Sequence, residues 1–199
     1  MSRVIVLASG SKTRCEMLAR AGINCETDVP AVDEDEVKQA LKAEGARPDD
    51  VAATLAELKA QRVSRRWPGV FAIGADQMLE VEGQWLDKPV DRAGAAASLR
   101  LLSGKTHRLI SAVSVVCDNN QLWHKIDSAK LTVRPLSEAF IESYLDQMGD
   151  AALESVGAYQ LEGLGAQLFT KIEGDYFTIL GLPLLPLLGF LRTHSVVPE

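Results

Sequence analysis

The chain has 199 residues, of which 47% are apolar and 24% charged. That balance excludes disorder or a continuous coiled coil as the main organisation, and a chain this long buries a core without disulfide or metal staples. The net charge of -6 denies it a broad positive field, which excludes nucleic acid and anionic membranes as general partners. Any phosphate must be met by a few local cations.

The three cysteines (Cys15, Cys25, Cys117) form no CxxC pair, and the three histidines are scattered. This usage fits a reducing cytoplasm and argues against a structural zinc site. The apolar start at Val4 to Ala8 is too short for a signal peptide. The longest apolar run, Ile179 to Leu191, contains Pro183 and Pro186 and is far short of a membrane span.

In chain order, Val4 to Ala8 reads as a buried strand, and Ser9-Gly10-Ser11 as the turn into a helix that Ser11 caps. A second strand is predicted from Asn24 to Val29. The acidic cluster Asp33 to Glu36 precedes a helix, and Pro48 opens a stronger one that Trp67-Pro68-Gly69 ends. Val70 to Ala75 is a buried-strand candidate ending at Asp76, and Glu82-Gly83 reads as a hairpin turn. Asp91 caps a helix to about Leu102. Thr106 to Val116 and Leu122 to Val133 form a long hairpin around Asp118-Asn119-Asn120. Ser137 with Glu138 starts another helix. After the glycine-punctuated stretch Gly157 to Gly165, Ala166 to Ile172 and Tyr176 to Leu180 are strand candidates before a last, proline-led helix. The alternation predicts an α/β fold with an antiparallel section in its second half.

Several segments carry candidate chemistry. Leu7 to Arg14 is a strand, a small-residue loop and a helix start, whose free backbone N–H groups, with Lys12 and Arg14, make an anion pocket. It lacks the GK[ST] of a Walker loop, and an ordinary capped turn has the same pattern. Asp76, after a buried strand, stands where open α/β sheets place ligands. It is a candidate proton acceptor or metal ligand, or the cap of a turn. Pro89 fixes the backbone beside Lys88, and Lys59 lies at the edge of a helix's buried face. Either can reach a cleft or remain a solvated lysine, and neither is expected to hold the core. Glu34, from the acidic cluster, can join Asp76 around magnesium. Gln160 and Glu162 stand in a loop tight enough to close on a ligand.

Taken together, Leu7-Ala8-Ser9-Gly10-Ser11, Arg14, Val32-Asp33-Glu34, Lys59-Ala60, Ile73-Gly74-Ala75-Asp76, Lys88-Pro89, Ser103 to His107, Gly157-Ala158-Tyr159, Glu162-Gly163 and Gly181 to Leu184 resemble the Maf family of nucleotide pyrophosphatases. The resemblance runs from Val4 to about Arg192 and implies one domain over residues 1–199. It implies a two-lobed α/β fold with a mixed, partly antiparallel sheet and a central cleft, related to inosine-triphosphate pyrophosphatases. The implied activity cleaves a nucleoside triphosphate to the monophosphate and pyrophosphate with a divalent cation (magnesium, manganese or cobalt), clearing the nucleotide pool. By position, Asp76 is the implied proton acceptor and, with Glu34, holds metal. Lys59 and Lys88 reach the triphosphate, and Ser9, Ser11 and Arg14 bind phosphate. The implied assembly is a homodimer with no nucleic acid and no membrane. Lys12-Thr13 replaces the family's usual Pro-Arg or Pro-Trp. Gln77 and Glu162 stand where the pyrimidine-preferring branch has Thr and Gln, which resembles the branch acting on 7-methyl-GTP, with dTTP or UTP as the other reading. The family's old name, septum-formation inhibitor, keeps a second function open: a cell-division regulator that acts by binding partners.

Overall fold

A computed structural model describes residues 4–197. The first apolar run forms β1 (Ile5–Ala8), buried throughout. The turn after it opens α1 (Lys12–Arg20), and the Ser11 hydroxyl caps it by accepting from the Arg14 N–H. β2 is only Glu26–Thr27, shorter than the strand predicted from Asn24 to Val29. It lies at the sheet edge and pairs with just Val6 and Leu7. Asp33 caps α2 (Glu34–Ala43), and α3 (Pro48–Ser64) begins on its proline.

The sheet's long members follow: β3 (Phe71–Val81), β5 (Thr106–Cys117) and β6 (Asn120–Val133). β4 (Gln84–Leu86) and α4 (Arg92–Leu102) lie between the first two, and α5 (Glu138–Met148) comes after the third. Both hairpin turns have positive φ at their two central residues, 50° and 79° at Glu82 and Gly83 and 49° and 63° at Asp118 and Asn119. That is the geometry that right-twisted strands require.

The C-terminal part departs from expectation. The strand predicted at Ala166 to Ile172 starts late: 164–168 closes as a 3-10 turn, and β7 is Phe169–Glu173. Tyr176 to Leu180 is not a strand. It forms α6 (Tyr176–Ile179), because Asp175 accepts from the Thr178 N–H and caps a helical turn. That local bond overrides the β preference of Tyr, Phe, Thr and Ile. α7 (Leu184–Thr193) closes the fold. No helix of the described residues is long and apolar enough to cross a membrane.

The strands form one sheet in the order β2-β1-β3-β5-β6-β7, with β4 also on β3. β2, β1 and β3 are parallel and the other pairings antiparallel. Alternation along β3 separates its side chains. Phe71, Ile73 and Ala75 pack with Leu18 of α1 and Leu187 of α7. Further along the same face, Leu79 and Val81 pack with Leu99 of α4 and Ile141 of α5. These two apolar blocks are the lobes, and β3, β5 and β6 run through both. The opposite face lies under α3, where Met78 packs against Val51 and Leu55. Gly74 lets α3 approach: a Cβ there would stand 2.1 Å from the Ala56 carbonyl oxygen.

β3 does not end at Asp76, as predicted, but runs five residues on to Val81. Instead, its neighbours on one edge are interrupted. β1 pairs only as far as Ala8 opposite Gly74, and pairing with β4 starts only at Leu79, opposite Leu86. Among the described residues, Ala75 to Met78 have no strand partner on that edge. Asp76 and Gln77 point to opposite faces of the sheet, yet both open onto this gap.

Candidate active site

A two-part cleft occupies the gap. The larger part, about 720 Å³, is lined by Ser9, Arg14, Glu34, Lys59, Asp76 and Lys88, among others. The other part, about 260 Å³, is lined by Lys12, Gln77, Tyr159, Gln160, Glu162 and Leu180, among others. Ser11, Gln77, Lys88 and Glu154 border both, so the parts are continuous. Every site residue read from the sequence therefore faces one cleft, although they come from α1, α2, α3, β3 and three loops.

Asp76 is 4% exposed. Its Oδ1 accepts from Lys59 Nζ at 2.6 Å, while its Oδ2 is buried with no hydrogen-bond partner. Burial pushes the carboxyl above its ordinary value, against the pull of Lys59 and Arg14. Lys59 also reaches Glu34 Oε1 at 2.8 Å. The picture of Lys59 as a peripheral helix lysine needs correction: it is 6% exposed, deep under α3, and clamps two carboxylates together.

Arg14 joins three segments. Its Nε donates to the Gly181 carbonyl at 2.8 Å, and its second nitrogen donates to the Ala75 carbonyl at 2.9 Å and to Ser9 Oγ at 3.2 Å. Burial lowers its pKa, and Asp76 and Glu34 oppose that shift. Ser9 Oγ accepts from Arg14 and from the Ser11 N–H, and Ser11 Oγ accepts from the Arg14 N–H. Both hydroxyls keep an O–H to donate to an anion. They stand at the start of α1, where unpaired backbone N–H groups favour negative charge.

Lys88 is exposed at the cleft's rim, yet desolvation by the protein around it, with Arg14 and Lys59, lowers its pKa, and Glu34 and Asp76 resist. Sequence reasoning missed Lys38, which lines the larger part and meets Asp87 at 2.5 Å. Burial alone would lower Lys38, but the bond from Asp87 holds it above its ordinary value. Its spacing was the available signal, four residues after Glu34 and so on the same helix face. Glu154 was also missed, and nothing in its sequence context marks it.

A divalent cation is implied by the resemblance, and the chain can be tested for it. Among the described residues, no group of three or more His, Cys, Asp or Glu side chains is gathered to hold a metal. Glu34 and Asp76 remain, with the unpartnered Asp76 Oδ2. That set fits a hard cation that takes its other ligands from water and phosphate, and not an all-protein cage.

The far wall carries a second buried pair. His107 Nε2 and the Tyr159 hydroxyl are 2.6 Å apart, and Tyr159 borders the smaller part. Gly157 makes room for that ring: its φ is 79°, and a Cβ would stand 2.8 Å from Tyr159. Burial lowers His107 to about 4, so the folded protein keeps a neutral imidazole where an unfolded chain takes up a proton. Stability from this group is full above pH 6.5 and is lost as the pH falls toward 4, by about 3 kcal/mol in total. Urea melts across that window should show the slope in the native protein, and His107→Gln should flatten it.

Residues 4–194 match the model of a protein family described as "Maf-like protein". A protein of Paramagnetospirillum magneticum named "Nucleoside triphosphate pyrophosphatase" is 59% identical over 96% of this chain and 98% of its own. One of Rhizobium etli named "7-methyl-GTP pyrophosphatase" is 51% identical over 99% of each. The crystal structure of a nucleoside-triphosphatase from Mycobacterium abscessus superposes with a TM-score of 0.46 at 16% identity, over 98% of this chain and 97% of that one. A family match over nearly the whole sequence, with relatives above half identity at full length, places the chain in the Maf-like protein family.

Proposed function

We propose that the cleft binds a nucleoside triphosphate and hydrolyses it to the monophosphate and pyrophosphate. The observation that carries this reading is the buried Asp76 with one unpartnered oxygen, set among Arg14, Lys59 and Lys88 and beside a smaller chamber of about 260 Å³. The triphosphate occupies the larger part and the base the smaller.

In this reading Asp76 Oδ2 accepts a proton from the attacking water. The water oxygen joins the phosphorus that remains on the nucleotide, and the bond to pyrophosphate breaks. Ser9, Ser11 and the start of α1 donate to phosphate oxygens, and Lys59, Lys88 and Arg14 offset the negative charge. A divalent cation held by Asp76 and Glu34 would supply positive charge shared between phosphate oxygens. Catalysis of this kind is positioning and electrostatics.

The smaller part favours a base that presents hydrogen-bond donors. Glu154 and Glu162 border it. The Gln77 amide NH₂ is committed to Ser111 Oγ and to the carbonyls of Thr178 and Ile179, so only its carbonyl oxygen is left to meet a ligand. Acceptors suit the N1–H and N2–H₂ of guanine, and carboxylates suit the positive ring of 7-methylguanine. The test is pyrophosphate release from 7-methyl-GTP, GTP, dTTP and UTP with magnesium, manganese or cobalt. No release from any of them overturns the activity, and an excess of pyrimidine product overturns the base assignment.

Lys88→Ala should lower kcat/KM roughly ten- to a hundredfold, because a charged hydrogen bond contributes about 1.5–3 kcal/mol. Its side chain is exposed, so the melting temperature should hold. A variant that melts early and keeps its activity contradicts the assignment.

A further inference from the structure

We infer that Thr178, held by a three-strand polar ladder, is a positioning residue that fixes the floor of the base chamber and so sets base discrimination. The inference rests on the cleft reading above.

Gln77 on β3 is opposite Ser111 on β5, which is opposite Asp127 on β6. Alternation places the three side chains in a row on the face that carries the two apolar blocks. They fall between the blocks: Leu79 and Leu109 belong to one, Ala75 and Val113 to the other. A polar row interrupting an apolar face leaves groups that need partners. The row closes on one residue of α6. Gln77 Nε2 donates to the Thr178 carbonyl at 3.2 Å and to the Ile179 carbonyl at 2.9 Å. Ser111 Oγ donates to the Thr178 carbonyl at 2.7 Å. The Thr178 hydroxyl donates to Asp127 Oδ2 at 3.0 Å, and its N–H donates to Asp175.

Thr178 is fully buried. It touches no ligand space, but its neighbours do. Ile179 and Leu180 border the smaller part of the cleft, and the next carbonyl, at Gly181, holds Arg14. The ladder pins that segment at the Thr178 carbonyl and hydroxyl, and the Asp175 cap takes the N–H. A four-residue helix has too few internal bonds to hold itself. The position of the floor therefore depends on the ladder, and a floor shifted by a fraction of an ångström admits a base of different width or edge.

The experiment compares native protein, Thr178→Val and Thr178→Ser. Valine keeps the volume and removes the donor to Asp127, while serine keeps the donor. Dissociation constants for GMP, 7-methyl-GMP, UMP and dTMP are read by calorimetry, and kcat and KM for the matching triphosphates alongside. Thr178→Val is expected to reduce the ratio between best and worst base about tenfold, the worth of one lost hydrogen bond. The loss should fall on KM and on monophosphate binding, and Thr178→Ser should restore the ratio. An unchanged ratio overturns the inference, as does a uniform fall in kcat and melting temperature that serine fails to rescue. Ser111→Ala removes another rung without adding volume and is read in the same way if the valine variant does not fold. The monophosphate constants separate this inference from the activity: binding that discriminates without turnover overturns only the hydrolysis.

Discussion

Asp76→Asn is expected to leave the protein folded and to lower turnover by roughly 10²–10⁴, the range for loss of a positioned acid–base group. Asparagine keeps the shape and the oxygen that faces Lys59, but no carboxylate remains to take a proton. The unpartnered oxygen of Asp76 is the reason to expect a large effect. A buried acceptor without a donor is costly to keep, and a substrate water would satisfy it. The measurement is pyrophosphate release by the purified variant, with its circular dichroism and melting curve beside that of the native chain. Turnover near the native level in a folded variant would remove Asp76 from the chemistry.

How much of this was legible in the sequence varies by kind of feature. The strands and helices that carry strong periodicity and caps were readable: Ser11 and Asp91 cap the helices expected of them, and Ser137 caps the one it was expected to start. The acidic cluster expected ahead of a helix instead supplies that helix's cap, Asp33, and its first turn. The two hairpins were announced by Glu82-Gly83 and Asp118-Asn119. The end of β3 was not readable, because Asp76 resembles a strand stop. The strand continues since β5 pairs with it from Ala72 to Glu80, a non-local bond that no local pattern reveals. α6 was misread for the opposite reason, a purely local cap at Asp175 working against β-forming residues.

The site shows the same division. The residue types and their order pointed to Ser9, Ser11, Arg14, Glu34, Lys59, Asp76, Lys88 and Glu162, and the structure brings them to one cleft. What they do to one another was hidden. Nothing in Leu58-Lys59-Ala60 states that the lysine is buried between two carboxylates. Gln77 looked like a base reader, and its amide is instead committed to the backbone of α6. Partners more than a hundred residues away decide that.

The burial of Lys59 sets the second large expectation. Lys59→Met keeps most of the volume and removes the charge, which leaves Asp76 buried without its nearest cation. Breaking a buried pair from one side costs about 3–5 kcal/mol. In a chain of this size each kcal/mol moves the melting temperature by about 2–4 °C, so a fall of roughly ten degrees is expected near neutral pH. Both side chains are under one-tenth exposed, at 8% and 6%, so solvent screens little of this. The sign of the pH dependence follows from Asp76. With Lys59 gone, the carboxyl stays protonated to a higher pH, so the deficit should shrink as the medium is acidified and the buried site becomes neutral. Adding Asp76→Asn to Lys59→Met removes the stranded charge and should recover most of the stability without recovering turnover. Melting curves of the two single variants and the double variant form a cycle that isolates the pair. If the double variant is no more stable than Lys59→Met, or if Lys59→Met melts with the native chain, the lysine does not hold Asp76. Its place would then be with the solvated cations of the cleft, where the sequence alone had put it.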